Sequence, residues 1–266
     1  MNFHELIWVW FGCSILVGAL IMMPYGTRGR CLSSRLIVSA VVILGIAIAI
    51  RWIRLGHGPF ITLFEILLSN LFSLGLIISL VYGRRSELRI TMPVLIPILL
   101  LMSLWLVSIP FDDSHLPATY NTPWLWAHLL TGKIFLAMVF IAVGIAGVIL
   151  LKSWSVTNRF FSSLSVTELH ARIWSWLILA FIFHSMMLIS GAVWAQDAWG
   201  RYWDWDPLET SAFLTWLSLV LVLHSRISWR VTPVITSVLV IIVFSLAFLT
   251  FFGIPFISQA PHQGAI

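Results

Sequence analysis

Residues 134–151 read IFLAMVFIAVGIAGVILL, eighteen consecutive residues without a charge or a proline. A run of this length spans the hydrocarbon core of a bilayer as a helix, at 1.5 Å of rise per residue. It lacks the in–out alternation of a membrane barrel strand, so the helix is the reading that satisfies every backbone polar group in lipid. The rest of the chain repeats the pattern. Sixty per cent of its 266 residues are hydrophobic and nine per cent are charged, against about 25% charged in an ordinary soluble domain. Such a chain cannot cover a water-facing surface.

The expected fold is therefore all-α: a polytopic integral membrane helix bundle of about eight transmembrane helices, read as one membrane domain over 1–266. The spans fall at about 5–24, 35–54, 60–82, 90–110, 126–151, 171–194, 207–229 and 231–253. Pro93 and Pro97 lie in the fourth, where neighbouring helices can re-satisfy the backbone. The first apolar run, Leu6–Met23, has no Lys or Arg in front and no small-residue cleavage site behind, and reads as a retained helix.

The formal net charge of +5 is an orientation signal, since the cations are spread through short connections. Alternating the spans puts Arg28, Arg30, Arg35, Arg84, Arg85, Arg89, Lys152, Arg159, Arg172, Arg226 and Arg230 on one side. Arg51, Arg54 and Arg201 remain on the other, and Lys133 lies within the fifth span. By the positive-inside rule both termini are expected on the outer side, with the segments Pro110–Trp126 and Trp194–Asp206 and the tail from Gly253. The charge distribution gives no nucleic-acid patch. Cys13 and Cys31 form no CxxC pair, which argues against a thiol relay.

The segment 194–210, WAQDAWGRYWDWDPLET, is the most unusual part of the chain, with four tryptophans inside twelve residues. An interfacial aromatic belt accounts for a lone Trp such as Trp8 or Trp105. It leaves unexplained the interleaved acids and the two-residue spacing of Trp203 and Trp205. A planar apolar ligand with carboxylate edges would suit indoles that stack on its faces and an arginine, Arg201, that meets its edge. Asp206 at the N-cap, Pro207 at the first helical position and Glu209 at N3 form a helix start of the capping-box kind. These acids are expected to hold the segment's shape rather than to exchange protons.

The run W-A-x-x-A-W-G-x-Y-W-x-W-D-P-x-E-T, followed by Leu223–His224–Ser225–Arg226, resembles the WWD signature of the haem-handling family of cytochrome c assembly, which includes CcsA (ResC), CcmC and CcmF. The ending D-P-x-E-T and the compact eight-span layout are most similar to the CcsA type. Upstream, Pro59–Phe60 and Leu63–Phe64–Glu65 resemble a P-[FL]…LYE segment of that type. Leu208 departs from it, standing where a lysine is usual.

Taken singly, His128 and His262 read as ordinary interfacial or tail histidines, yet they flank the tryptophan segment on the same expected face. The resemblance implies that they are the axial ligands of an outer haem, with His115 as the fallback, and that Trp199, Trp203, Trp205, Asp206 and Arg201 form its platform. His224 lies 17 residues beyond Pro207, roughly 26 Å deeper along a helix, and cannot touch that platform. The resemblance implies an inner haem station there, its opposite ligand supplied by a partner. His184, mid-helix, reads either as a packing histidine bonded to a neighbouring helix or as an additional ligand. Glu65, inside the third span, is expected to face the bundle interior and meet a histidine, an arginine or a haem edge.

By resemblance, haem b is a transported substrate, delivered to the CxxCH thiols of an apocytochrome c by a system II type complex. A separate CcsB/ResB-like membrane subunit is the implied partner, and a bacterial plasma membrane or a thylakoid membrane the implied location. The chain supplies no catalytic nucleophile of its own, so enzymatic activity would belong to that cytochrome c synthase complex. Two alternatives stay open: a CcmC-like haem transporter that makes no covalent product, and a b-type cytochrome subunit, which would need His184 and His224 close together.

Overall fold

A computed structural model describes residues 3–153, 165–229 and 231–254. Among them are eight helices long and apolar enough to cross a membrane, and no strand: α1 (Phe3–Met22), α2 (Gly26–Leu55), α3 (Leu63–Arg84), α4 (Met92–Ser108), α5 (Pro123–Ser153), α6 (Val166–Trp199), α7 (Pro207–Ser228) and α8 (Pro233–Phe252). The protein is an all-helical integral membrane protein.

Two helices outrun the expected spans for one reason. Hydropathy marks the stretch that lipid tolerates, whereas a helix stops only where its backbone is made to. The α2 segment Gly26–Ser34 is polar, but its arginines are good helix formers and extend it. Trp194–Trp199, expected in a loop, forms the last turns of α6. That helix ends at Gly200, whose left-handed backbone (φ 76°) returns its N–H to the Gln196 carbonyl at 2.9 Å. At 34 residues, α6 is roughly 50 Å long, well beyond the ~30 Å of hydrocarbon. Pro97 sits inside α4, as the sequence allows.

Contacts divide the chain into two compact units, Met1–Leu116 and Pro117–Gly264. In the first, α1 packs on α2, α2 on α3, α3 on α4 and α4 back on α1, a closed ring of four helices. Its core holds Ile37, Leu44, Leu67, Leu71, Leu74 and Leu99. In the second, α5 packs on α6 and α8, while α7 bridges α6 and α8, again closing a ring. The uncharged run that decides the fold is the centre of this unit. Being apolar all round, α5 is buried from Phe135 to Ala146 without a break, with Phe140 stacked on Phe244 and Phe135 against Phe251.

Candidate functional site: a tryptophan platform and its histidine

The tryptophans of residues 194–205 form two clusters. In the first, Trp194 is buried and donates its indole N–H to the Tyr120 carbonyl at 3.0 Å. Trp199 donates to the Tyr120 hydroxyl at 3.1 Å and meets Trp194 edge-on, centroids 4.9 Å apart. His128, on the second turn of α5, lies nearly parallel to Trp194, with centroids 6.3 Å apart and planes 15° apart. Tyr120 had no motif to flag it; its place at the foot of α5 makes it the residue that spaces both indoles.

The ring of His128 is oriented. Its Nδ1 lies 2.9 Å from the Met187 carbonyl oxygen, which can only accept, so Nδ1 carries the proton and the lone pair belongs to Nε2. A carbonyl behind a histidine is the arrangement by which proteins fix the tautomer of a metal-binding imidazole. The approach depends on Gly191. A Cβ there would fall 2.6 Å from His128 Nδ1 and 2.9 Å from Cε1. The only signal in the sequence is a glycine inside a long helix, which is weak alone.

The second cluster follows Gly200. Trp203 meets Trp205 edge-on at 5.6 Å, and both meet Phe213 of α7, which stacks on Trp216. Trp205 is 65% exposed, yet its backbone sits at φ 59°, a left-handed conformation that a bulky residue adopts only when its surroundings impose it. Those surroundings are visible. The Asp206 carboxylate caps α7 through the Glu209 N–H at 2.8 Å, and Thr210 Oγ1 donates to the Trp205 carbonyl at 3.1 Å. Glu209 also reaches upstream of the cap. Its Oε2 accepts from the Asp204 N–H at 2.7 Å, two residues upstream, because the turn at Trp205 brings that N–H within reach. Arg201 is exposed and pairs with Asp204 at 2.7 Å. The indole N–H of Trp203 is buried and has no acceptor among the described residues, a cost of about 1–3 kcal/mol unless something else accepts it. Leu208 is half-buried at the second position of α7.

His184 lies on the same side of α6 as Met187, a turn farther from the tryptophans. It is 1% exposed and stacks on Phe135, centroids 4.0 Å apart. Its Nδ1 has no hydrogen-bond partner among the described residues, and the ring packs face to face on Phe135. His224, near the end of α7, is exposed, with Nε2 2.9 Å from Ser228 Oγ. The Trp216 indole donates to Ser185 Oγ at 2.9 Å, which sets Trp216 level with His184's neighbour. His224 lies eight residues beyond Trp216, roughly 12 Å farther along α7, too far for the two histidines to share one iron. His262 lies outside the described residues, and His115 is exposed in the first unit.

Glu65 has a full set of partners within the first unit. Oε1 accepts from Arg51 Nε at 2.8 Å and Ser114 Oγ at 2.6 Å. Oε2 accepts from the Ile61 and Thr62 N–H groups, while Thr62 caps the Glu65 N–H, a true capping box at the start of α3. Arg51 is fully buried, flanked by Phe64 and Phe111, and also reaches Glu5 and the Asp112 carbonyl. Arg54 bonds Glu5 and both oxygens of Asp113, and this hydrogen bonding holds the Asp113 carboxyl below its ordinary range. Among the described residues no cluster of histidine, cysteine and acid is placed to hold a bare metal ion.

The chain is 28% identical to the cytochrome c biogenesis protein CcsA of Pelargonium hortorum, over 86% of this chain and 84% of the relative. It is 29% identical to CcsA of Cuscuta reflexa, over 86% and 83%. Its fold matches a solved structure of the cytochrome c haem lyase CcmF with a TM-score of 0.70 at 18% identity, covering 99% of this chain and 47% of that one. The chain thus spans about half the length of that structure. The profile of the family described as Cytochrome C assembly protein matches residues 2–262, and the chain belongs to that family.

Proposed function

We propose that this protein is the haem-handling subunit of a cytochrome c assembly complex: it receives haem b at the His224 end of the second unit and holds it at the tryptophan end for an apocytochrome. The observation that carries this reading is Trp205, an exposed indole kept in a costly backbone conformation beside a buried, unspent Trp203 N–H. Strain and an unmet donor are kept where a ligand repays them. A flat apolar macrocycle with carboxylate edges suits that surface, the Trp203 N–H and Arg201 lying beside it as donors for the edges.

His128 supplies one axial ligand through Nε2 and His262 the other. Two imidazoles shield the iron until the histidine of the substrate's CxxCH replaces one of them. In the attachment itself, each cysteine S–H adds across a vinyl C=C, the sulfur to one carbon and the proton to the other, so no residue of this chain serves as nucleophile. The protein's contribution is position and exclusion of water. Glu65 and Arg51 belong to the framework of the first unit. A CcsB-like membrane subunit completes the complex and supplies the second ligand at the His224 station. The membrane is a bacterial plasma membrane or a thylakoid.

Covalent haem on an apocytochrome co-expressed with this chain and a CcsB-like subunit tests the proposal. Replacement of His128 and His262 together is expected to abolish covalent haem; attachment at the wild-type level would refute it. Haem that is bound and passed on with no covalent product would favour the transporter reading.

A further inference from the structure

The second unit carries another site, at the end opposite the tryptophans. A pocket of about 300 Å³ is lined by Thr167, His170, Ala171, Trp174, Arg226 and Val231, where α6 and α8 begin and α7 ends. The Arg226 guanidinium lies over the Trp174 ring, 5.3 Å from its centroid. Trp174 is buried, and His170 meets it edge-on while bonding Thr236 Oγ1 at 2.9 Å. Arg226 is exposed and makes no ion pair or hydrogen bond among the described residues, so its N–H donors are not spent on the protein. A guanidinium held over an aromatic ring at the lip of a cavity offers its fork of N–H donors to an anionic oxygen group.

Two sources of such a group are at hand, a lipid phosphate and a haem propionate. Arg226 is two residues from His224, about 200° around the helix, and the buried Ser225 lies between them. A haem ligated by His224 would therefore extend from the other side of α7. The volume lies at the bottom of the range for small-molecule sites, about 300–1,000 Å³, and suits a headgroup rather than a macrocycle. The pocket also sits where three spans end, the depth at which headgroups lie, and basic pockets between transmembrane helices recognise anionic headgroups there. We propose that the Arg226–Trp174 pocket binds the phosphate of an anionic membrane lipid.

Native mass spectrometry of the full chain in detergent, titrated with phosphatidylglycerol, diacylglycerol or inorganic phosphate, tests this. A phosphatidylglycerol adduct that diacylglycerol does not form is expected, weakened about tenfold or more by Arg226→Gln through loss of a charge-assisted hydrogen bond, and less by Arg226→Lys. An unchanged melting temperature for both variants separates this from misfolding. Undiminished phosphatidylglycerol binding by Arg226→Gln would overturn the site. Equally tight binding of inorganic phosphate would overturn the lipid assignment, as would a loss of bound haem in Arg226→Gln with no lipid adduct in the wild type.

Discussion

His128 donates through Nδ1 to the Met187 carbonyl at 2.9 Å, and this one bond ties the candidate ligand on α5 to the helix that carries the tryptophans. Met187 lies one turn before Gly191 and two before Trp194, so the same stretch of α6 orients the imidazole, makes room for it and stacks against it.

The room is testable by one methyl group. Gly191→Ala would put a Cβ 2.6 Å from His128 Nδ1, closer than packing permits. Overpacking of this kind costs about 1–3 kcal/mol, and the imidazole is the side chain that must turn away. The expected outcome is a folded protein with weakened haem retention and an altered axial-ligand spectrum. A variant that kept the wild-type spectrum would show that the position of His128 does not matter.

Trp205 should trade stability against binding. Its backbone strain is of order 1–3 kcal/mol, and its 65% exposed indole buries little. Trp205→Gly removes the strain because glycine adopts positive φ freely. Its melting temperature is expected to equal or exceed that of the wild type, while haem retention falls. A variant that lost stability and kept its haem would reverse the role given to this residue.

Glu65 is expected to behave as framework. Glu65→Leu leaves the fully buried Arg51 without its closest carboxylate and removes the Glu65 half of the capping box at the start of α3, a loss of about 3–5 kcal/mol for a broken buried pair. Thermal unfolding should show it, and whatever protein folds should keep the wild-type haem spectrum. A stable variant with a changed spectrum would move Glu65 into the haem site.

Asp113 gives the first unit an acid-sensitive contact. Hydrogen bonding from Arg54 holds its folded pKa below the unfolded value, 3.8. Its stabilising contribution is therefore complete above that unfolded value and is lost as pH falls from there through the lower folded pKa. The side chain is 61% exposed, so the contribution is small. Thermal unfolding from pH 6 down to pH 2 should show a steeper acid loss for the wild type than for Asp113→Asn. Parallel curves would remove the Arg54 contact from the account.

The eight spans were legible because lipid admits so few backbone solutions that hydropathy nearly determines them. The helix ends were less so. Trp194–Trp199 is polar enough to leave the membrane, yet it stays helical until Gly200, and only the glycine signalled the stop. The tryptophan segment was legible as composition, but its division into a Tyr120 cluster and a Phe213 cluster depends on contacts from distant parts of the chain. Gly191 was invisible for the same reason, since its meaning lies in what α5 brings opposite it. Glu65 was recognisable as too costly to face lipid; that its partner is Arg51, 14 residues earlier, is a fact of helix pairing.

The absorption spectrum of the purified protein, with its CcsB-like subunit, tests the central claim most directly. Wild-type protein is expected to show the bands of bis-histidine haem, and protein carrying His128→Ala with His262→Ala to lose or shift them while keeping its fold. Identical spectra for the two, or wild-type protein that never carries haem, would contradict the assignment of the tryptophan platform to haem.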